Sequence, residues 1–399
     1  MTDRTRRWYD HASLLFRVLR HAVTAFLSRF YARDPDLWVF GAGLGSGFVD
    51  NAKYLFLHAE GVPEVRAVWL SKDRETVTAL RKAGYDAHRV RSVRGTWLRL
   101  RAGVAVVTHG PRDVGTGAIG GATLVNLWHG LPVKTIGFDA ELRRAPRVVR
   151  WAHRALARRF DALVVPSPMA VHQFHTGLGV SPDRIRVLGY PRHDPLVGAG
   201  PDEDPTSDPD VEERLAAAGA DGPLVLYLPT FREPGADLAD RVDFEAVDRR
   251  LDAVGARLLV KPHPFERVSS VDGLDHVSTL EGVDDVYPLL DAFDVLVTDY
   301  SSVFLDFLLL DRPVVFYAPD LETYRAERGF YYDYETFVPG PVAVDTDSLL
   351  ARLTDAIEAD PYAARRSALR EAFLVDATGS RSATVFEAVR ALSGRERDQ

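Results

Sequence analysis

The sequence contains no cysteine, few lysines and no long apolar run. The lack of cysteine excludes a disulfide scaffold, a cysteine nucleophile and thiolate metal sites. Only five of the 49 basic residues are lysines, so a lysine inside a motif stands out. No stretch reaches the roughly 18–20 uncharged apolar residues that a membrane span requires. We expect no signal peptide, because Arg17, Arg20 and Arg29 interrupt the N-terminal apolar run.

Charge is divided unevenly between the two halves of the 399-residue chain. The composition, 46% apolar and 27% charged, is that of an ordinary globular protein. The net charge of −8 hides 30 basic against 16 acidic residues in 1–200, and 19 against 41 in 201–399. This asymmetry indicates either a polyanionic or membrane partner for the basic half, or two domains that complement each other.

Two basic segments are candidates for a surface that meets anionic lipid. Residues 8–31 repeat apolar side chains at helical spacing, and the first 33 residues hold seven arginines and two acids. Residues 143–159 contain seven arginines and no acid. Each segment could lie on an anionic membrane or polymer. Alternatively, residues 8–31 could form a helix packed on its own domain. Residues 143–159 could be a helix face that is simply solvated.

Short apolar runs alternate with helical patterns from Leu37 onward, which predicts doubly wound parallel sheets in an α/β protein. An acidic, proline-containing stretch interrupts this alternation and indicates a linker. We therefore expect two similar α/β domains that face a cleft. The predicted units are the N-terminal helix at 1–33, a first domain at 34–196, the linker at 197–222, a second domain at 223–345, and C-terminal helices at 346–399.

Several familiar motifs are absent. The glycine-rich stretch 41–47 follows the first strand but fits the dinucleotide pattern G-x-G-x-x-G in neither register. The signatures of zinc proteases, P-loop NTPases and α/β-hydrolases are also missing. No nucleic-acid recognition module accompanies the basic residues, so we expect no nucleic-acid partner.

Two turns at the ends of predicted strands each carry a histidine. His129 lies in Asn126–Lys134, directly after an apolar run, and Gly130 allows a ligand to approach the backbone closely. A neutral imidazole suits general-base work on a hydroxyl. In the second half His263 stands between two prolines, two residues after Lys261. A cation and an imidazole together can neutralise phosphate charge.

A third motif, Asp294–Asp306, runs from a strand into a helix that we expect to begin near Ser302. Ser301 and Ser302 are cap-type residues at a helix start, where free N–H groups favour phosphate. Asp306 lies one turn into that helix, where its carboxylate could accept from ribose hydroxyls. Elsewhere, Arg232 follows a strand in Pro229–Arg232 and could contact a phosphate through two N–H groups.

Together these stretches resemble the CDP-glycerol glycerophosphotransferases, which prime or polymerise teichoic acids. The resemblance covers roughly Leu37 to Val344, in order. Its matching segments are Val49–Phe56, Leu127–Lys134 with Gly137–Asp139, Pro229–Arg232, Val260–Pro264 and the long block Asp294–Pro341.

The resemblance implies a GT-B fold that needs no metal and no cofactor, with CDP-glycerol or a related CDP-alditol as donor substrate. An acceptor hydroxyl on a lipid- or glycan-linked molecule would attack the β-phosphorus and CMP would leave. It also implies a cytoplasmic protein held peripherally at the inner face of the cell membrane, to which we assign the N-terminal helix and the arginine-rich face.

Site residues are carried over position by position. The resemblance makes His129 and His263 the catalytic pair, in either order of roles. We place seven residues on the donor nucleotide and its phosphates and three on the acceptor side: Thr230, Arg232, Lys261, Asp299, Ser301, Ser302 and Asp306 for the donor, and Asn51, Gly130 and Lys134 for the acceptor.

Two other functions stay open on the sequence. A GT-B glycosyltransferase that uses a nucleotide sugar would release a nucleoside diphosphate instead of CMP. A non-catalytic protein of the same fold would bind a membrane or polyanion without turnover. The acceptor, the choice of glycerol or ribitol, priming against polymerisation, and the oligomeric state are not determined by the sequence.

Overall fold

The computed structural model describes residues 26, 28–201, 203–232, 237–262, 266–269, 271–375 and 379–395. The expected N-terminal amphipathic helix falls almost wholly outside these ranges, and so does His263. What is described of the N-terminus is a single 3₁₀ turn, Ser28–Phe30.

The N-terminal domain is built on a seven-stranded parallel sheet with the order β3-β2-β1-β4-β5-β6-β7. Its apolar strands are buried on both faces, as parallel strands are when crossover helices cover them. The strands are β1 Asp34–Phe40, β2 Arg66–Ser71, β3 Ala87–Arg89, β4 Ala102–Val107, β5 Thr123–Asn126, β6 Ala162–Val165 and β7 Ile185–Val187. The helices are α1 Asp50–Glu60, α2 Arg74–Lys82, α3 Val93–Arg101, α4 Arg147–Ala157 and α5 Val171–Leu178.

The C-terminal domain repeats this plan with a six-stranded parallel sheet of order β10-β9-β8-β11-β12-β13. Its strands are β8 Leu224–Leu228, β9 Arg257–Val260, β10 Val277–Thr279, β11 Val295–Thr298, β12 Val314–Tyr317 and β13 Val342–Ala343. Helices α7 Phe244–Val254, α8 Val303–Phe307, α9 Leu321–Arg328 and α10 Tyr334–Phe337 belong to this part of the chain. The predicted α/β class is thereby confirmed.

The segment expected as an acidic linker contains a helix. Helix α6, Pro209–Ala220, begins at Asp208, whose side chain accepts a hydrogen bond from the N–H of Asp210. Val211 and Leu215 are buried in the core on its inner face. The sequence pattern missed this helix because only two large apolar residues face inward and the surrounding acids dominate the composition.

The expected C-terminal helices divide between the two domains. Helix α11, Thr346–Glu358, contributes Leu349 and Leu353 to the C-terminal core. Helix α12 is Ala363–Phe373, and α13, Arg381–Arg395, returns to the N-terminal domain. There Phe386 stacks on Trp38 of β1 with ring centroids 4.9 Å apart. The last helix therefore packs on the N-terminal domain, although it follows the C-terminal domain in sequence.

None of the helices in the described ranges is long and apolar enough to cross a membrane. In both domains the carboxyl ends of the strands open toward the loops that carry the predicted site residues, as expected for doubly wound sheets.

Candidate active site

The turn that carries His129 is held rigidly by a buried amide. Asn51, fully buried on α1, donates its side-chain N–H to the carbonyl of Trp128 at 3.0 Å. Trp128 has a φ of +54°, and Gly130 has a φ of +146°. The backbone N–H of Trp128 also donates to the side chain of Asn126 at 2.8 Å. Asn51, expected on the acceptor side, thus acts in the structure by shaping the turn.

His129 is arranged as a neutral imidazole with one nitrogen free. Its Nδ1 lies 3.3 Å from the carbonyl oxygen of Thr108, which as an acceptor requires the proton on Nδ1. Nε2 then carries the lone pair, and it has no hydrogen-bond partner among the described residues. Burial, followed by the neighbouring His109, lowers the pKa of His129 to about 3. The ring is therefore an unprotonated acceptor at neutral pH, and a bound anionic donor would raise its basicity.

Arg192 connects the His129 turn to the C-terminal domain. Its guanidinium is buried and donates to the carbonyl of His129 at 2.9 Å, to Asp50 at 2.8 Å and to Asp306 at 2.6 Å. A buried arginine with two carboxylates and a carbonyl has the fixed geometry that its planar fork favours. Arg192 consequently holds the His129 turn in a fixed position relative to the C-terminal domain.

Asp306 is engaged by protein groups on both oxygens. Besides Arg192, His193 lies 2.7 Å from Oδ1 and the Tyr287 hydroxyl donates to Oδ2 at 2.6 Å. Burial by itself would raise the pKa of Asp306, but Arg192 and His193 outweigh it and the pKa is lowered. We predicted that Asp306 contacts ribose; in the structure it is 1% exposed and anchors one domain to the other.

The serine pair of the C-terminal domain lies against the His129 turn. A Cβ on Gly130 would overlap the hydroxyl of Ser302, so glycine is required for this approach. Ser301 accepts a long hydrogen bond, 3.4 Å, from the N–H of Val303. Ser302 begins the short helix α8 without a side-chain capping bond. Both serines are half-buried.

Arg232 directs its guanidinium into its own domain. It donates to Asp320 at 2.7 and 3.1 Å and to Asp299 at 2.9 Å. A further N–H reaches the carbonyl of Thr230 at 2.6 Å. Burial opposes its charge, but Asp320 and Asp299 raise the pKa of Arg232. The two-bond phosphate contact that we expected from Arg232 is made to carboxylates instead.

Asp299 and Thr230 belong to the same cluster. Asp299, 1% exposed, accepts the backbone N–H of Thr230 at 2.8 Å and so ties the end of β11 to the turn after β8. The Thr230 hydroxyl is buried and has no hydrogen-bond partner within the described part of the chain. Its bonding capacity is therefore open, whereas the side chains of Arg232 and Asp299 are engaged by protein groups.

Two lysines of the predicted site are without a carboxylate partner in the described residues. The Nζ of Lys134 lies 5.9 Å from the centroid of the Tyr324 ring, and its backbone pairs with Phe330 across the domains. Burial lowers the pKa of both Lys134 and Lys261. A cation that is partly desolvated and unpaired is suited to an anionic ligand.

Three residues of this site were missed by the sequence reasoning. Arg192 and His193 follow β7 in a proline-containing turn, and His109 follows β4. The usable signal was position alone: each stands just after a predicted strand, where doubly wound sheets place their ligand loops.

No group of three or more metal-ligating side chains is found within the described ranges. The predicted absence of a metal stays a prediction.

Two parallel-sheet domains that meet at the His129 turn define a protein of the GT-B class. The family described as CDP-Glycerol:Poly(glycerophosphate) glycerophosphotransferase matches residues 23–390. The chain belongs to this family, which confirms the predicted resemblance.

Curated relatives support the same assignment. A teichoic acid glycerol-phosphate transferase of Staphylococcus aureus is 32% identical over 283 residues, which cover 67% of this chain and 71% of the relative. In Bacillus spizizenii, a teichoic acid poly(glycerol phosphate) polymerase is 30% identical, covering 57% of this chain and 60% of the relative. A ribitol-phosphate primase from that organism is 31% identical, with 57% and 58% covered. The chain thus spans less than two thirds of the latter two.

The fold is matched by solved structures. The wall teichoic acid polymerase TagF, as a histidine-to-asparagine variant soaked with CDPG, superposes with a TM-score of 0.79 at 21% identity, covering 98% of each chain. A UDP-N-acetylglucosamine 2-epimerase of Listeria monocytogenes gives a TM-score of 0.55 at 14% identity, covering 89% of this chain and 95% of that one. These matches confirm the GT-B architecture.

Proposed function

We propose that this protein transfers glycerol phosphate from CDP-glycerol to an acceptor hydroxyl and releases CMP, in the synthesis of a teichoic-acid-type polymer. The observation that carries the proposal is the neutral His129 imidazole, whose Nε2 has no partner among the described residues, in a turn whose next residue, Gly130, packs against the Ser302 hydroxyl of the opposite domain. Family membership gives the donor class. Relatives named for glycerol phosphate and for ribitol phosphate leave the alditol to experiment.

The transfer can be written with its atoms balanced. Nε2 of His129 accepts the proton of the acceptor hydroxyl as its oxygen forms a bond to the β-phosphorus. The bond from that phosphorus to the CMP oxygen breaks, and CMP leaves with the electron pair. In such transfers positioning and electrostatic stabilisation supply most of the rate.

Negative charge on the phosphates would be met by four groups of the described chain. Lys134 and Lys261 are the unpaired cations, and Ser301 and Ser302 supply hydroxyl donors. His263, outside the described residues, is proposed as the second imidazole, on the leaving-group side. The side chains of Arg232 and Asp299 form hydrogen bonds that support the Thr230 turn. These bonds occupy part of their hydrogen-bonding capacity, so neither is fully available to the ligand.

Release of CMP from CDP-glycerol by His129→Ala and His263→Ala tests this proposal. General acid–base groups contribute on the order of 10²- to 10⁴-fold, so each variant should lose at least 100-fold in kcat. His172→Ala, at an exposed position on α5, is the matched control and should keep full activity. Near-normal turnover in both site variants would contradict the assignment. Parallel assays with CDP-ribitol and UDP-glucose identify the donor, and a nucleoside diphosphate product would indicate a glycosyltransferase.

Peripheral attachment to the inner face of the cell membrane from the cytoplasm is also part of the proposal. Helix α4 carries the arginine-rich segment and exposes Val148 and Trp151, which are 70% and 66% accessible. A basic helix with an exposed tryptophan is suited to the interface of an anionic bilayer. The N-terminal amphipathic helix would add a second contact.

Flotation with phosphatidylglycerol vesicles tests the attachment. We expect salt-dependent binding that weakens about tenfold in Trp151→Ser, since a buried tryptophan contributes more than 1 kcal/mol. Removal of residues 1–25 should weaken it further. Val344→Ser, an exposed apolar position in the C-terminal domain, is the control. Equal binding by Trp151→Ser and wild type would place the contact elsewhere.

A further inference from the structure

A second imidazole lies directly on the ring of His129. The centroids of the His109 and His129 rings are 4.0 Å apart and their planes differ by 1°. The other neighbour of the His129 ring is Trp128, at 4.4 Å. His129 is therefore enclosed between an indole and an imidazole, and His109 is the exposed member of the stack.

Both imidazoles are attached to one residue. The carbonyl of Thr108 faces Nδ1 of His129 at 3.3 Å, and the Thr108 hydroxyl lies 3.0 Å from Nδ1 of His109. Neither Nε2 has a hydrogen-bond partner among the described residues. Because the two rings share this anchor, the position of one constrains the other.

A buried carboxylate fixes the loop that carries His109. Asp113, fully buried, accepts the backbone N–H groups of Thr108 and His109, each at 2.8 Å. Gly110, with a φ of +126°, lets the chain turn between them. The loop after β4 is thus built to hold the imidazole in one place rather than to leave it free in solvent.

We propose that His109 is a positioning residue for His129 that covers one face of the ring, fixes its plane and excludes water from it before the donor binds. The inference rests on the proposed role of His129 as the base. His109 would contact no reacting atom; it would act through the ring beneath it.

The charges around His129 agree with this role. The groups that face it are His109 from the loop after β4, Lys134 from its own loop and Arg192 from the turn after β7. All three disfavour a proton on His129, in addition to burial, while the Thr108 carbonyl favours one. Asp113 accepts the backbone N–H of His109, and Asp306 accepts a hydrogen bond from Arg192. Of the three, His109 is the one whose ring lies on that of His129, so its removal would also open the ring to water.

Titration of the histidine Cε1–H signals by NMR tests the proposal without reference to catalysis. The signal of His129 is assigned by its loss in His129→Gln. In His109→Ala we expect the pKa of His129 to rise by more than about one unit toward the ordinary value near 6.5. If the pKa of His129 rises in His109→Ala but not in His109→Phe, the effect is due to the ring that covers His129. If it rises in both variants, the effect is due to charge. The first result supports the proposal, whereas the second result or an unchanged titration of His129 in His109→Ala overturns it.

The pH profile of kcat/KM gives the second readout. If the pKa of His129 reaches about 6 in His109→Ala, activity at pH 5.5 should fall about fourfold relative to pH 8, beyond any change in wild type. A loss by the same factor at every pH would indicate a purely structural residue and would overturn the proposal. If wild type itself fails to use CDP-glycerol, the proposed function is wrong, and the NMR titration still decides the role of His109.

Discussion

Lys53 and Lys134 are both lysines of the N-terminal domain that reach the C-terminal domain, yet their surroundings are opposite. The ammonium of Lys53 lies 2.6 Å from Asp204, 2.9 Å from Asp285 and 3.0 Å from the Thr206 hydroxyl, and it is fully buried. Lys134 has no carboxylate partner among the described residues. The ammonium of Lys53 is satisfied by groups of the fold, and that of Lys134 is the one proposed above to meet a ligand.

The pKa values of the two lysines record this difference. Burial by itself would lower the pKa of Lys53, but Asp285 and Asp204 outweigh it and the pKa is raised. Burial lowers the pKa of Lys134, and Asp299 compensates only in part. The contrast teaches that burial of a cation at a domain junction does not by itself mark a binding site. The distinguishing feature is whether its N–H groups are already satisfied.

The largest expected effect is on stability, in Lys53→Met. This change leaves the buried carboxylate of Asp285 and the half-buried one of Asp204 without their cation, and breaking a buried pair from one side destabilises by about 3–5 kcal/mol. Urea unfolding at pH 7 measures the loss. Lys82→Met, an exposed lysine on α2, is the control and should stay within about 0.5 kcal/mol of wild type.

Adding Asp285→Asn to Lys53→Met should recover part of that stability, because it removes the unpaired charge. If Lys53→Met unfolds within about 1 kcal/mol of wild type, the ion pairs do not hold the domains together and the contrast with Lys134 fails.

The next effect is on activity, in Lys134→Met. If this ammonium meets a substrate phosphate, its removal should lower kcat/KM for CDP-glycerol by about 100-fold. The fold should not suffer, since Lys134 has no carboxylate partner among the described residues that its removal would leave unpaired. The free energy of unfolding should be unchanged or higher by up to about 1 kcal/mol. A loss of stability comparable to that of Lys53→Met would instead make Lys134 a second structural clamp.

Local pattern was sufficient to predict much of the fold and the location of the His129 turn. Strand β4 is buried at all six positions, so its apolar run could be recognised directly. The turn after β5 combines a histidine with glycine and proline at a strand end, which is a local signal. These features depend on neighbours in sequence.

The hydrogen-bond and ion-pair partners of the charged site residues could not be predicted in the same way. Asp306 bonds to residues 114, 113 and 19 positions away, and Arg232 to one 88 positions away. Sequence shows that a carboxylate or guanidinium is present but not that another side chain already occupies it. For that reason both were expected on the donor and both are found in ion pairs. Helix α13 was predicted among the C-terminal helices, but the domain that it joins was not, because only its tertiary contact with Trp38 shows this.

The smallest effect concerns the pH dependence of stability, where the two lysines should diverge in sign. A lysine whose pKa is raised in the folded state contributes stability below its unfolded pKa of about 10.4, and loses it only as pH rises through the higher folded value. Lys53 is of this kind, so the deficit of Lys53→Met should stay constant from pH 7 to 10. Lys134, with a lowered pKa, opposes folding while both states are charged, and this opposition fades as pH rises through its folded pKa.

Any stability advantage of Lys134→Met over wild type should therefore shrink between pH 7 and pH 10, by less than about 1 kcal/mol. Urea unfolding of wild type, Lys53→Met and Lys134→Met at pH 7, 8, 9 and 10 measures this. The difference in free energy of unfolding from wild type should narrow with pH for Lys134→Met and stay constant for Lys53→Met. An advantage that widened toward pH 10 would mean that the Lys134 ammonium is stabilised by the folded protein. In that case the site would hold a satisfied cation, and the phosphate-binding role proposed for Lys134 would lose its physical basis.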